Sequence, residues 1–318
     1  VLDTASNGRI SGVRASVGFS SQTGPRAGNE DFAGAVFGSE LPEPRRDVIA
    51  VIADGIGGAK GGRVAAETAV RAFLGGMFDL PETMEVQRAA ATILNSINGW
   101  LHAESRRDPD LSGMGCTFTA LVLRGRLVHV LHAGDTRAYR LRNGRLSQLT
   151  VDHVREDRNG RSHVLNRALG VEAEVRLDYA SHPLALHDRF LLCSDGVHAF
   201  LSDAAIVETL CGGSAPSDAA HALVAAALDS GSDDNHTALV LDVVGLSTAD
   251  SSDIGGGLLQ LPLIPVPAGG ETIDGFVLRT LVSDGTYSRL FAAVDEIDGG
   301  EVALKFPKPQ VATTATHR

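Results

Sequence analysis

Tyr139-Arg140-Leu141-Arg142-Asn143-Gly144-Arg145-Leu146 carries the clearest local instruction in the chain. Asn-Gly between two alternating runs is the composition of a two-residue hairpin turn, because both central positions of that turn need positive φ. Antiparallel pairing is therefore expected here. Working back toward the N-terminus, Thr117 to Leu123 and Leu127 to His132 are β-branched and apolar runs separated by a short polar turn, and Val48 to Ala53 is another such run. Toward the C-terminus, Phe190 to Cys193 and Thr237 to Val244 have the same character. Helical periodicity is confined to two blocks. Arg63 to Leu74 places Val64, Ala65, Thr68, Ala69 and Ala72 on one face, and Val86 to Arg107 does so with Ile93, Leu94, Ile97 and Leu101. Asp203 to Cys211 and Ser217 to Leu228 form the second block, with Ser202 and Ser217 as N-caps. Helices segregated from a meander of strands predict an α+β fold of layered antiparallel sheets, not the alternating order of a doubly wound parallel sheet.

Composition narrows the function. The chain has 318 residues, 43% of them hydrophobic, with a formal charge of −11. That material suffices for a large core, and the acidic balance argues against nucleic acid as a partner. Three cysteines, Cys116, Cys193 and Cys211, fall in no CxxC pair, so neither a disulfide framework nor a thiolate zinc site is expected. A cytoplasmic location follows as the expectation. No apolar run approaches the roughly 20 residues of a membrane span, and Val1-Leu2-Asp3 does not open a signal peptide. Residues 10–246 read as one domain. Residues 247–272, with Gly255-Gly256-Gly257, Pro262, Pro265 and Pro267, read as a linker, and 273–318 as a short β-rich segment.

Chemistry is concentrated in acidic residues at the ends of strand-like runs. Asp54-Gly55 follows Val51-Ile52-Ala53, Asp195-Gly196 follows Leu191-Leu192-Cys193-Ser194, and Gly134-Asp135 follows Leu131-His132-Ala133. Asn29-Glu30-Asp31 and Asp233-Asp234-Asn235 add further carboxylates. One Asp-Gly is most often only a turn. Several carboxylates converging from strand ends suit hard divalent cations, which take oxygen ligands, and two such cations can activate water and clamp a phosphoryl group. Gly57-Gly58-Ala59-Lys60-Gly61-Gly62 is not a P-loop, since no Gly-Lys-Ser/Thr follows the required spacer.

Arg26-Ala27-Gly28-Asn29-Glu30-Asp31, Asp54-Gly55-Ile56-Gly57-Gly58, Gly113-Met114-Gly115-Cys116-Thr117, Gly134-Asp135-Thr136-Arg137, Leu149-Thr150-Val151-Asp152-His153, Arg167-Ala168-Leu169-Gly170, Ser194-Asp195-Gly196-Val197 and Asp234-Asn235-His236-Thr237 occur in one order. This series closely resembles the metal-dependent protein phosphatase (PPM, type-2C) family, bacterial branch, over about Val13 to Leu246. The resemblance implies a four-layer α/β/β/α sandwich. It also implies a phosphoserine/phosphothreonine protein phosphatase that hydrolyses phosphate monoesters with a metal-activated bridging water, on two Mn2+ or Mg2+ ions and a third in bacterial members. Asp54 would bridge the two metals, the Gly55 carbonyl would bind the second, and Asp195 and Asp234 would complete the first. Asp135, with Asp195, would match the third-metal position; Glu30 and Asp31 would hydrogen-bond metal-bound waters; Arg26 would grip the phosphoryl group with its forked donors. Asn235 and Thr237 read as structural. The alternative is a noncatalytic phosphoprotein-binding module of the same fold that regulates a fused kinase, which the intact Asp54, Asp195 and Asp234 disfavour.

Two departures matter. Ile56 stands where animal members carry a histidine two positions after the bridging aspartate, so the leaving-group proton must come from a metal-bound water or another group. Between Asp152 and Leu165 the family's flap is cut down to a few residues, among them His153 and His163, both expected to anchor loops or face solvent; Cys116 and Cys193 are expected to be buried packing residues. Beyond the linker, Gly275-Phe276-Val277-Leu278-Arg279-Thr280-Leu281, Leu290-Phe291-Ala292-Ala293-Val294 and Val302-Ala303-Leu304-Lys305 resemble the first three strands of a protein kinase N-lobe. Lys305 then matches the lysine that contacts ATP, although no His-Arg-Asp or Asp-Phe-Gly is present. The reading is the phosphatase part of a phosphatase–kinase fusion, whose partners are a phosphoprotein substrate and its own downstream kinase domain.

Overall fold

The computed structural model describes residues 12–38, 47–56, 59–81, 84–156, 163–246, 267–273, 275–286, 288–296 and 299–308. The chain falls into two compact units, residues 1–253 and 254–318. Most of the expected linker lies outside the described residues.

The first unit holds two five-stranded antiparallel sheets. One runs in the order β1 (Arg14–Gln22), β14 (His236–Gly245), β13 (Arg189–Cys193), β8 (Arg137–Arg142) and β9 (Arg145–Gln148). The other runs β12 (Asp178–Pro183), β7 (Leu127–Ala133), β6 (Phe118–Arg124), β3 (Val48–Ala53) and β2 (Phe32–Phe37). The hairpin read from Asn143-Gly144 is the β8–β9 turn, with φ of 51° and 74° at those two residues. Short ladders join β4 (Gly55–Ile56) to β5 (Gly115–Cys116) and β10 (Val154–Glu156) to β11 (His163–Leu165). The helices are α1 (Ala59–Asp79), α2 (Val86–Arg107), α3 (Asp195–His198), α4 (Asp203–Cys211) and α5 (Pro216–Asp229).

Strand periodicity explains the layering. Successive side chains of β3 point to opposite faces, and the buried residues divide accordingly: Ile49, Val51 and Ala53 pack with α1 and α2, whereas Val48, Ala50 and Ile52 pack with Phe190, Leu192, Leu239 and Leu241 of the other sheet. Leu191, Cys193, Ala238 and Val240 turn their backs on that interface and meet α4 and α5. The order is thus helices, sheet, sheet, helices. All six residues of β3 are buried, which accounts for its unbroken apolar run.

Two helix starts differ from the sequence expectation. Helix α1 begins at Ala59 instead of near Arg63. Glycine is a poor helix former, so propensity argued for a later start, but Gly61 and Gly62 are buried in that first turn and a longer side chain would collide there. Helix α5 begins at Pro216 with Ala215 as its N-cap and no side-chain cap bond, not at Ser217; proline's fixed φ and missing N–H suit the first helical position. Ser202 does cap α4, accepting the Ala205 N–H at 3.3 Å.

The second unit is a four-stranded antiparallel meander, β15 (Thr272–Ile273), β16 (Phe276–Asp284), β17 (Ser288–Asp295) and β18 (Glu301–Pro307). Thr272, the last residue of the expected linker, already pairs with Val277. Among the described residues, Leu278, Phe291 and Ala293 form its buried cluster.

Candidate active site

At the end of the sandwich where β3, β13 and the loops before β2 and β14 finish, the carboxylates singled out in the sequence come together. Asp54 directly follows β3, and Thr117 fixes it twice: the Asp54 N–H donates to Thr117 Oγ1 at 2.9 Å and the Thr117 N–H donates to the Asp54 carbonyl at 2.8 Å. Asp195 opens α3 directly after β13. Ser194 before it has no capping bond because its hydroxyl donates to Asp31 Oδ2 at 2.7 Å and accepts the Thr237 N–H at 3.1 Å. Asn235 is the tie between the loops: its amide donates to the Thr23 and Gly28 carbonyls, and its oxygen accepts the Glu30 N–H at 2.8 Å. Asp234, its neighbour, receives Arg26 Nη2 at 2.8 Å, while Arg26 Nε donates to the Asp233 carbonyl at 3.0 Å.

Electrostatics show how close these acids are. Burial, then the charges of Asp31, Asp195, Asp135 and Asp234, hold Asp54 well above the ordinary carboxylate range. Burial pushes Asp31 up to about 6, against the Ser194 hydrogen bond, and pushes Asp135 up to about 7 with the help of Asp195. Asp195 is raised by burial and Asp234, and Glu30 by burial. Asp31 Oδ1 and Asp135 Oδ1 are buried with no hydrogen-bond partner among the described residues. Such a set is unfavourable as anions and well matched to a hard cation, whose charge inverts every one of these shifts. As the side chains stand, no group of three or more His, Cys, Asp or Glu among the described residues is gathered closely enough to chelate a metal ion.

Backbone proximity supports the carboxylates. A Cβ built on Gly55 would lie 2.3 Å from the Gly62 carbonyl carbon, and one on Gly62 would lie 1.9 Å from Glu30 Oε2. Gly55, placed in the sequence as a carbonyl ligand, therefore sits where β4 and the start of α1 touch. Ile56 pairs with Gly115 in the β4–β5 ladder. Cys116 and Cys193 are fully buried, and burial drives both thiols far up, away from thiolate chemistry. Lys305 is exposed on β18 of the second unit, opposite Leu290 in the register.

Two contributors escaped the sequence reading. Ser194 stands inside a motif that gives it no role, and His198 lies outside every motif; its Nε2–H donates to the Asp135 carbonyl at 2.9 Å. The i,i+3 spacing from Asp195 on one helix was the available signal. A shallow cavity of about 300 Å³ sits at the other end of β13, but its Arg189 is occupied by Asp242 and the Leu210 and Ser214 carbonyls, so it has no free charge to offer a ligand.

The raised acids predict a pH dependence. A carboxyl with a higher pKa folded than unfolded binds more protons in the native state, so stability falls as pH rises from its unfolded pKa through its folded one. In metal-stripped protein, Tm should therefore decline between about pH 4 and about pH 7 from Asp31 and Asp135. Saturating Mn2+ should flatten that slope in a calorimetric series, because it binds the ionised forms.

Residues 39–229 match the family model for protein phosphatase 2C. The serine/threonine phosphatase Stp of Listeria innocua is 31% identical over 231 residues, covering 67% of this chain and 90% of the relative. The serine/threonine protein phosphatase PstP of Mycobacterium tuberculosis is 34% identical over 254 residues, 74% of this chain and 46% of that protein. A crystal structure of the catalytic domain of PstP in complex with two manganese ions superposes with a TM-score of 0.63 at 31% identity, covering 73% of this chain and 99% of that one. The chain belongs to the protein phosphatase 2C family. It is an enzyme of that family's type, a protein serine/threonine phosphatase, on a fold of antiparallel sheets covered by helices. No helix among the described residues is long and apolar enough to cross a membrane.

Proposed function

We propose that the first unit hydrolyses phosphoserine and phosphothreonine monoesters on proteins, with Asp54, Asp195, Asp234 and the Gly55 carbonyl holding two divalent cations, manganese or magnesium, and Asp135 with Asp195 a third. The observation that carries this is the placement of Asp54, Asp135 and Asp195 at one end of the sandwich, each raised first by burial and then by the charge of neighbouring carboxylates. When bound, such cations supply a water of lowered pKa and positive charge facing the phosphoryl oxygens. Asp31 and Glu30 would hydrogen-bond and orient water held there, Asp31 itself being held in place by Ser194. Arg26, with more than half its side chain exposed, leaves Asp234 and presents its fork to two phosphoryl oxygens. Water attacks phosphorus as the P–O ester bond breaks; of its two protons one ends on the departing serine or threonine oxygen and the other stays with the phosphate, and no phosphorylated side chain forms.

The test is hydrolysis of para-nitrophenyl phosphate and a phosphothreonine peptide after chelation and on return of Mn2+; activity that persists in chelator would overturn the reading. Arg26→Ala should lower kcat/KM by about 10² to 10³. Arg26→Lys should recover only part, because an ammonium lacks the fork; full recovery in steady-state assays would show that Arg26 acts as charge alone.

The segment from 273 onward is read as the start of a kinase N-lobe with Lys305 at its nucleotide position, and the fused kinase and a cytoplasmic setting belong to that same reading. Its support is the three-strand meander β16–β17–β18, which has the strand order of the kinase-like sequence pattern.

A further inference from the structure

Asp135 is held by its backbone, and two imidazoles do the holding. On one side His198 of α3 donates to the Asp135 carbonyl. On the other, His153 makes two hydrogen bonds to Gly134: its backbone N–H donates to the Gly134 carbonyl at 2.7 Å, and the Gly134 N–H donates to His153 Nδ1 at 3.1 Å. Because Nδ1 accepts, the ring proton is on Nε2, which donates to Asp178 Oδ2 at 3.0 Å. Arg167 Nη1 donates to the other oxygen of Asp178 at 2.7 Å. The His153 ring is 8% exposed and packs on His132, with centroids 4.7 Å apart. His132 is itself fixed by Thr119 and the Val151 carbonyl.

Position in the chain makes this arrangement informative. His153 immediately precedes β10, and Asn166 and Arg167 immediately follow β11. The Asn166 N–H donates to the His153 carbonyl at 2.7 Å, so His153, Asn166 and Arg167 are the foot of the β10–β11 ladder, anchored on Asp178 of β12. One residue thus belongs both to that foot and to the turn that presents Asp135.

We propose that His153 is a positioning residue for Asp135, tying the foot of the β10–β11 ladder to the Gly134–Asp135 turn and so setting how tightly Asp135 and Asp195 hold a further divalent cation. This rests on the phosphatase reading above, and the experiment separates the two. The full chain is stripped of metal and titrated with Mn2+, with free Mn2+ followed by electron paramagnetic resonance, for the wild type, His153→Ala, His153→Asn, His153→Gln and, as reference, Asp135→Asn. The wild type should show a tight class of sites and a weaker one that Asp135→Asn removes. His153→Ala should weaken that second class by about 10- to 100-fold, the usual cost of removing a group that orients a ligand, with the tight class unmoved. Asn places its oxygen near the position of Nδ1 and should restore the weaker class, whereas Gln reaches only toward the Nε2 position and should not. This Asn–Gln contrast stands even where the alanine variant folds poorly. A weaker class identical in all the His153 variants, its absence from the wild type, or a parallel weakening of both classes would overturn the proposal. A wild type with no tight class would overturn the phosphatase reading itself.

Discussion

Asp54→Asn should reduce phosphate-ester turnover by about 10³ or more while raising the Tm of the metal-stripped protein. The two effects have one origin. Asp54 directly follows a fully buried strand, is pinned by Thr117, and lies within the charge field of Asp31, Asp195, Asp135 and Asp234. Without cations its charge is a burden, so an isosteric neutral amide relieves repulsion and desolvation. On the proposed reading the same charge would be shared by two cations, and its loss would remove both the binding and the field that acidifies water. Steady-state kinetics at saturating Mn2+ and a thermal melt in chelator read the two halves separately. Wild-type turnover would show that Asp54 is not the shared ligand, and an unchanged or lower Tm would show that the carboxylates do not repel one another as their geometry implies.

Gly196→Ala should be nearly as damaging by a different route. A Cβ on Gly196 would stand 2.0 Å from the Asn235 carbonyl oxygen and 3.4 Å from Asp234 Cβ. The obstacle is backbone, so no rotamer change accommodates it. Either α3 or the strand end carrying Asp234 must move, and that displacement separates Asp195 from Asp234. Overpacking of this kind costs about 1–3 kcal/mol of stability, and misplacing the proposed metal-holding acids by about 1 Å costs about 10² in rate. The signature is a lowered Tm in chelator, opposite in sign to Asp54→Asn, together with weakened Mn2+ binding. Normal affinity and turnover would mean that the contact between α3 and β14 has no part in aligning the acids.

Much of this was legible in the chain because the relevant physics is local. Apolar and β-branched runs specified β3, β6, β7, β13 and β14, and Asn143-Gly144 specified a turn whose positive φ values disfavour β-branched residues. The acids could be named because a carboxylate at a strand end next to glycine is a short-range pattern, present at Asp54, Asp135 and Asp195, and the eight motifs that include these three occur in one order that points to one family. Where local reasoning failed, a contact from far along the chain had overruled it. Propensity argued against Gly61 and Gly62 in a helix, yet α1 starts before them because Gly55 and Glu30 press against that turn.

What the sequence by itself determined was therefore the antiparallel α+β class, the set of carboxylates and the chemistry such a set performs. Only the tertiary structure decided how those acids are held. Ser194 meets Asp31 across 163 positions, Asn235 joins Glu30 across 205, and His198 reaches Asp135 across 63. A hydroxyl, an amide and an imidazole carry no mark in the chain of which distant carbonyl or carboxylate they will meet, because partnership at that range is fixed by the packing of two sheets and not by any period in the sequence.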